Sequence, residues 1–166
     1  AHNEGAASLN RKYSEMYFTQ CINEEKKNLG CQILKSKKAG QGWGVPEPIA
    51  IAADTFTVGH PALSPEEDFM LFSSDIEGGQ GGKDLWYVTY DEKANTWGTP
   101  VNLGPQVNTA GDEMFPYVHD DGSIYFSSNG HAGMGGLDIF RAEKTGDKKW
   151  ANVENMKYPL NSAAND

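Results

Sequence analysis

The segment Phe72 to Trp86, FSSDIEGGQGGKDLW, is written a second time as Phe126 to Phe140, FSSNGHAGMGGLDIF. In both, Phe-Ser-Ser closes an apolar run, a glycine-rich loop follows, and an Asp opens a second apolar run. The step from Phe72 to Asp84 is 12 residues, as is the step from Phe126 to Asp138, and the glycine pairs Gly81-Gly82 and Gly135-Gly136 align. A third, weaker copy lies upstream, where YFTQC (Tyr17 to Cys21) stands in place of the Phe-Ser-Ser segment. Phe18, Phe72 and Phe126 are spaced 54 and 54, and Trp43, Trp97 and Trp150 are spaced 54 and 53. Repetition at a period of this order is the mark of solenoids and propellers. Both ends of the chain fall in phase with the repeat, which predicts further units supplied from outside it or by another chain.

Within each unit the apolar runs are short and separated by turn signals, with no helical pattern of useful length. The second unit reads as strands at His60–Leu63, Phe69–Ser74, Leu85–Tyr90 and Trp97–Leu103. The third reads as strands at Phe115–Val118, Ser123–Ser127 and Ile139–Ala142, with a fourth starting at Trp150–Val153. The first reads as Ala6–Leu9, Glu15–Thr19, Gln32–Lys35 and Trp43–Ile49, with a charged turn from Asn23 to Asn28. Four strands per unit is the arithmetic of a propeller blade. The expected fold is all-β: blades of four antiparallel strands, at about residues 3–56, 57–110 and 111–166 of one partial propeller domain spanning 1–166. Three blades do not close a ring, so the chain is expected to oligomerise or to form half of a six-bladed propeller.

The repeated residues have physical tasks. A Trp once per unit is large enough to fill the seam between neighbouring blades. The glycines permit turns and close backbone approach. Asp84 and Asp138 are placed to accept loop N–H groups ahead of the third strand. Cys31 is expected at the corresponding place in the first unit.

The formal net charge of −9 argues against nucleic acid as a partner, since such a footprint is basic. Hydrophobic residues make up 38% of the chain, too many for a disordered segment. No apolar run is long enough for a transmembrane helix.

Catalytic patterns are missing from the sequence. The four histidines, His2, His60, His119 and His131, fall in no metalloprotease motif, and no G-x-S-x-G elbow occurs. A metal site from His60, His131 and Asp75 would need convergence that a sequence does not show. The glycine loops offer too few carboxylates for calcium and do not match its loop pattern. No strand–loop–helix unit follows them to cradle phosphate. The expectation is no enzyme, no metal and no cofactor. Cys21 and Cys31 flank the second and third strands of the first unit. Either they form a disulfide that replaces the missing Asp-anchored loop, or they are two reduced, partly buried thiols. By blade topology the loops after the second strands and the crossings between blades share one face. That face would carry Asp75, Glu77, Asp112, Glu113, Asn129 and His131 as a partner-binding surface.

The segments HPALSPEEDFMLFSS and FPYVHDDGSIYFSSNGHAGMGGLDIF resemble the WD-like repeat of periplasmic, TolB-type β-propellers. The Gly-Gly-x-Asp-Ile/Leu run, a following Trp and PVNLGPQVNT are similar to Bacteroidetes outer-membrane-associated proteins. In these a propeller sits between a helical repeat region and an OmpA-like peptidoglycan-binding domain. The resemblance implies a periplasmic, outer-membrane-associated scaffold in type IX protein secretion. Its partners would be other periplasmic or outer-membrane proteins, with peptidoglycan bound by a domain outside this chain. Two other readings stand beside it: a glycan-binding propeller, and the propeller accessory domain of a serine peptidase.

Overall fold

The computed structural model describes residues 2–24, 27–53 and 55–166. The described residues form strands, turns and bends, with no helix. Three antiparallel sheets follow one another along the chain. The first joins β1 (His2–Leu9), β2 (Glu15–Glu24), β3 (Lys27–Ala39) and β4 (Gly42–Trp43) in that order, with β5 (Glu47–Pro48) also on β3. The second is β6 (Val58–Leu63), β7 (Phe69–Ser74) and β8 (Asp84–Asp91), with β9 (Thr96–Trp97) and β10 (Val101–Asn102) both on β8. The third is β11 (Glu113–Val118), β12 (Ile124–Ser128), β13 (Asp138–Gly146) and β14 (Lys149–Asn155). Each sheet is a propeller blade, and the fold is all-β.

The blades are copies in register. Phe18 pairs with Leu34, Phe72 with Trp86, and Phe126 with Phe140. The first strand of every blade is bulged at the same place, where Ala6, His60 and Phe115 take positive φ values of 29°, 54° and 52°. A bulge sharpens local twist and bends the strand.

Two details differ from the sequence reading. The fourth strand is one element only in the third blade. Elsewhere it breaks into two short pieces around Trp43-Gly-Val-Pro46 and Trp97-Gly-Thr-Pro100, because Pro has no N–H for the ladder. β14 has no Pro and runs unbroken. Of the stretch expected as a turn from Asn23 to Asn28, residues 25–26 lie outside the described residues, and the rest is paired as the end of a long hairpin. Asn23 pairs with Asn28 and Glu24 with Lys27. A register shift between Cys21 and Asn23, with Gly30 at a φ of 86° on the facing strand, precedes these pairs.

Alternation along the strands gives the second blade two apolar faces, one toward each neighbour. Tyr17 and Ile33 of the first blade pack against Met70, Phe72, Trp86 and Val88 of the second. Leu71, Leu85 and Phe69 on the opposite face of the second blade pack against Ile124, Phe126, Phe140 and Trp150 of the third. Full burial of one such side chain contributes about 1.5–3 kcal/mol. The predicted seam role of the repeated Trp holds at both internal seams. Trp97 meets Tyr17 edge-on with centroids 5.9 Å apart, and Trp150 lies 5.7 Å from Phe69 and 6.5 Å from Tyr87.

Candidate functional site

The loops after the second strands and the crossings between blades are bonded to each other, and together they form one surface. Asp84 and Asp138 organise it from below, as expected. The Oδ2 of Asp84 accepts the Gln80 N–H, and the Oδ2 of Asp138 accepts those of Met134 and Gly135. The glycine pairs then lie directly on the crossings. Gly82 N–H donates to Gly111 O at 2.9 Å, and Gly136 N–H to Ala164 O at 3.1 Å. A Cβ on Gly81 would collide with the backbone of Thr109 and Ala110, and one on Gly135 with that of Ser162 to Ala164. Glycine is required at both because backbone meets backbone there.

A second set of ties was not foreseen. Asn108 is buried and bonds both backbone groups of Leu85, accepting its N–H at 2.9 Å and donating to its carbonyl at 3.0 Å. Asn161 does the same to Ile139, at 2.8 and 2.9 Å. Each also donates to a second asparagine, Asn102 or Asn155, at 3.0 and 2.8 Å. The side-chain amide thus supplies the acceptor for the third-strand N–H and shares that residue's carbonyl with a backbone donor, Leu103 N–H on Leu85 and Met156 N–H on Ile139. The signal was legible as N-x5-N, at Asn102/Asn108 and again at Asn155/Asn161. The first crossing, Ile49 to Thr57, contains no asparagine. An open cavity of about 440 Å³ lies beside it, lined by Cys31, Ile33, Ile49, Ile51, Phe56 and Val58 among others.

The expected face residues divide into two groups. Asp75 and Asn129 hold equivalent positions and are exposed. Asp75 Oδ1 accepts the Thr57 N–H and Asn129 Oδ1 the Asp112 N–H, both at 2.7 Å. Asp112 is half-buried and its Oδ1 accepts the Lys83 N–H at 2.9 Å. Glu77 is exposed and makes no ion pair among the described residues. These four side chains lie on the loop surface.

Glu113 does not belong to that surface. It is fully buried, and its carboxylate accepts Thr109 N–H at 2.9 Å, Thr109 Oγ1–H at 2.6 Å and Ser128 Oγ–H at 2.7 Å. It opens β11 on the face that packs against the second blade, so it lies within the seam. His131 is also turned inward. Its Nε2 lies 2.7 Å from Val107 O, which makes that nitrogen the protonated one, and its ring lies against Phe126 and Phe140. The combination of His60, His131 and Asp75 is not assembled. His60 stacks on Phe115, His131 bonds Val107, and Asp75 bonds Thr57. No group of three metal-ligating side chains occurs among the described residues.

Cys21 and Cys31 are joined as a disulfide. They face each other directly across β2 and β3, one pair beyond Gln20 and Gln32. Gln32, not Cys31, therefore stands where Asp84 and Asp138 stand, because Gln20–Gln32 is the counterpart of Ser74–Asp84 and Ser128–Asp138. Cys21 holds the place of Asp75 and Asn129. The covalent bond ties together the base of the loop that has neither an anchoring Asp nor paired glycines.

No family model matches the sequence, and no curated protein matches it. Solved structures are similar in fold. TolB from Acinetobacter baumannii superposes with a TM-score of 0.59 at 14% identity, over 95% of this chain and 33% of that one. A puromycin-hydrolyzing peptidase of Mycobacterium tuberculosis gives 0.58 at 12% identity, over 94% and 23%. A luciferin-regenerating enzyme gives 0.58 at 10% identity, over 98% and 49%. The chain spans between about a quarter and a half of the length of these structures. At such identities the likeness shows a TolB-like propeller fold and no more.

Proposed function

We propose that the protein is a non-catalytic interaction module of the periplasm, acting as a scaffold in an outer-membrane-associated assembly. The observation that carries this reading is the construction of the loop surface. Its polar side chains are spent on holding backbone: Asp84, Asp138, Asn108, Asn161, Asp75 and Asn129 all bond main-chain groups. Such a surface is rigid before a partner arrives, which lowers the entropic cost of binding. The Cys21–Cys31 disulfide favours an oxidising compartment, in keeping with the periplasm. The resemblance of the repeat to outer-membrane-associated propellers extends the proposal to type IX secretion, with peptidoglycan held by a separate domain.

The exposed acidic groups Asp75, Glu77 and Asp112 suit a partner with a basic surface. The test is chemical cross-linking of the protein to a cell-envelope fraction, with wild type beside Glu77→Lys. Glu77 bonds nothing among the described residues, so its reversal leaves the fold intact. The expected result is a defined cross-linked species that weakens with added salt and is lost in the variant. Cross-linking indifferent to both, or turnover of peptide or glycoside substrates by the purified protein, would overturn the reading. The glycan-binding alternative is tested by sedimenting the protein with purified peptidoglycan.

A further inference from the structure

The two seams inside the chain follow one recipe, and the two outer faces of the chain carry its two halves. At the first seam, Trp97 stands on β9 opposite Tyr90 of β8 and meets Tyr17 of the preceding blade edge-on at 5.9 Å. Lys35 sits over the Tyr17 ring at 5.3 Å and is ion-paired with Glu15 at 2.9 Å. At the second seam Trp150 occupies the same register, opposite Lys144, and packs on Phe69 and Tyr87 of the preceding blade. Each seam thus places a Trp from one blade on an aromatic platform of the blade before it.

The Trp half of this recipe is exposed on the first blade. Trp43 lies opposite Lys38, the register position of Trp97 and Trp150. It is 42% exposed where Trp150 is 4% exposed, and the adjacent Val45 is 88% exposed. No aromatic ring among the described residues lies against it.

The platform half is exposed on the third blade. The matched pairs Phe18–Leu34 and Phe126–Phe140 put Tyr125 where Tyr17 stands and Arg141 where Lys35 stands. Arg141 is held by Asp121 at 3.7 Å and Glu143 at 3.4 Å, as Lys35 is held by Glu15. Tyr117, 58% exposed, lies beside Tyr125 with centroids 6.5 Å apart. A tyrosine platform beside a salt-bridged cation is the surface that receives Trp97 at the first seam. A guanidinium at that place adds cation–π attraction for an indole.

We propose that these faces join copies of the chain. Trp43 of one copy seats on Tyr125 and Arg141 of a second copy, and the second returns the same contact to the first. The occupant is a second copy because each outer face displays the half that the other lacks. Two reciprocal head-to-tail contacts close a ring of six blades without leaving a free face.

The test is sedimentation equilibrium on the wild type, Trp43→Ala, Tyr125→Ala and an equimolar mixture of the two variants. The wild type is expected at twice the 18.1 kDa chain mass. Each variant should dissociate at least about tenfold more readily, since a buried Trp or Tyr anchor dominates an interface. The mixture should associate more tightly than either variant alone, because a mixed pair keeps one intact Trp43–Tyr125 contact. Trp43 is exposed, so its removal leaves the blade cores unchanged, and circular dichroism checks this. Arg141→Glu serves as a second platform variant. A wild type at 18.1 kDa at every concentration overturns the proposal. A dimer indifferent to the substitutions, or variants that the mixture does not rescue, overturns it too.

Discussion

The rings of His60 and Phe115 lie stacked, with centroids 4.0 Å apart and planes 20° from parallel, on the innermost strands of neighbouring blades. The Phe115 N–H points at His60 Nδ1 at 3.4 Å, a contact that requires this nitrogen to be unprotonated. Burial, with the Lys83 ammonium as a smaller cause, pushes the imidazole down to about 4 from its usual 6.5.

Acid should therefore weaken the fold through His60. Above pH 6.5 the residue is neutral in both the folded and unfolded chain and contributes no pH dependence. As pH falls from 6.5 towards 4, the unfolded chain takes up a proton that the folded chain refuses, so stability declines. The ring is partly exposed, so solvent screening reduces the loss to about 1–2 kcal/mol. His60→Asn keeps a residue tolerant of positive φ and cannot titrate. Urea unfolding of wild type and variant between these pH values is the measurement. A fall of the same size in both would assign the acid sensitivity elsewhere.

Asn108→Ala should cost about 1–3 kcal/mol, because it leaves the buried N–H of Leu85 without a partner, while the Leu85 carbonyl keeps the Leu103 N–H. The equivalent Asn161→Ala should cost a similar amount, since the same bonds go to Ile139. Asn108→Asp keeps the acceptor but loses the donor and buries a charge, so it should be the more damaging change. Chemical denaturation of the three variants ranks them. Equal stability of Asn108→Ala and wild type would mean the amide is not what closes the ladder.

Much of the architecture was legible because the repeat forces three segments into equivalent surroundings. The Phe, Trp and Asp anchors fixed the blade register, and the paired glycines marked where the loops meet the crossings. What escaped was decided by packing between units. Glu113 reads as a surface carboxylate in a polar stretch, yet the start of β11 turns it into the seam, where Thr109 and Ser128 supply three donors. His131 sits in a glycine-rich loop but faces Phe126 and Phe140. Gln32 took the Asp position assigned to Cys31, because the long first hairpin displaced the alignment by one residue. The N-x5-N spacing at Asn102/Asn108 and Asn155/Asn161 is present in the sequence, but the intervening residues differ, GPQV against KYPL, so only the bonds to Leu85 and Ile139 reveal its role.

The disulfide closes only a short loop, with a sequence separation of 10. Cross-linking a loop of this size stabilises by about 2–3 kcal/mol in the chain-entropy account. Cys21→Ser with Cys31→Ser should lower stability by that amount, and the first blade should show it most. Hydrogen exchange should speed up at the base of the β2–β3 hairpin and remain slow in β12 and β13. A thiol assay on the denatured, unreduced protein should find no reactive cysteine. Two reactive thiols would show that the bond does not form.

Glu113→Ala separates a residue that holds the seam from one that meets a partner. The carboxylate satisfies one backbone N–H and two hydroxyls, and Ser73 Oγ–H also donates to the Glu113 carbonyl at 2.7 Å. Removing the side chain leaves Thr109 and Ser128 facing a void at the junction of the second and third blades. The expected cost is about 3 kcal/mol, near the upper range for orphaned buried groups bonded to a charge. Glu113→Gln keeps the shape of the side chain and one acceptor oxygen for these donors, so it should cost less than Glu113→Ala. Thermal unfolding of the two variants measures this. A Glu113→Ala protein as stable as wild type but poorer in cross-linking would return Glu113 to the partner-binding surface.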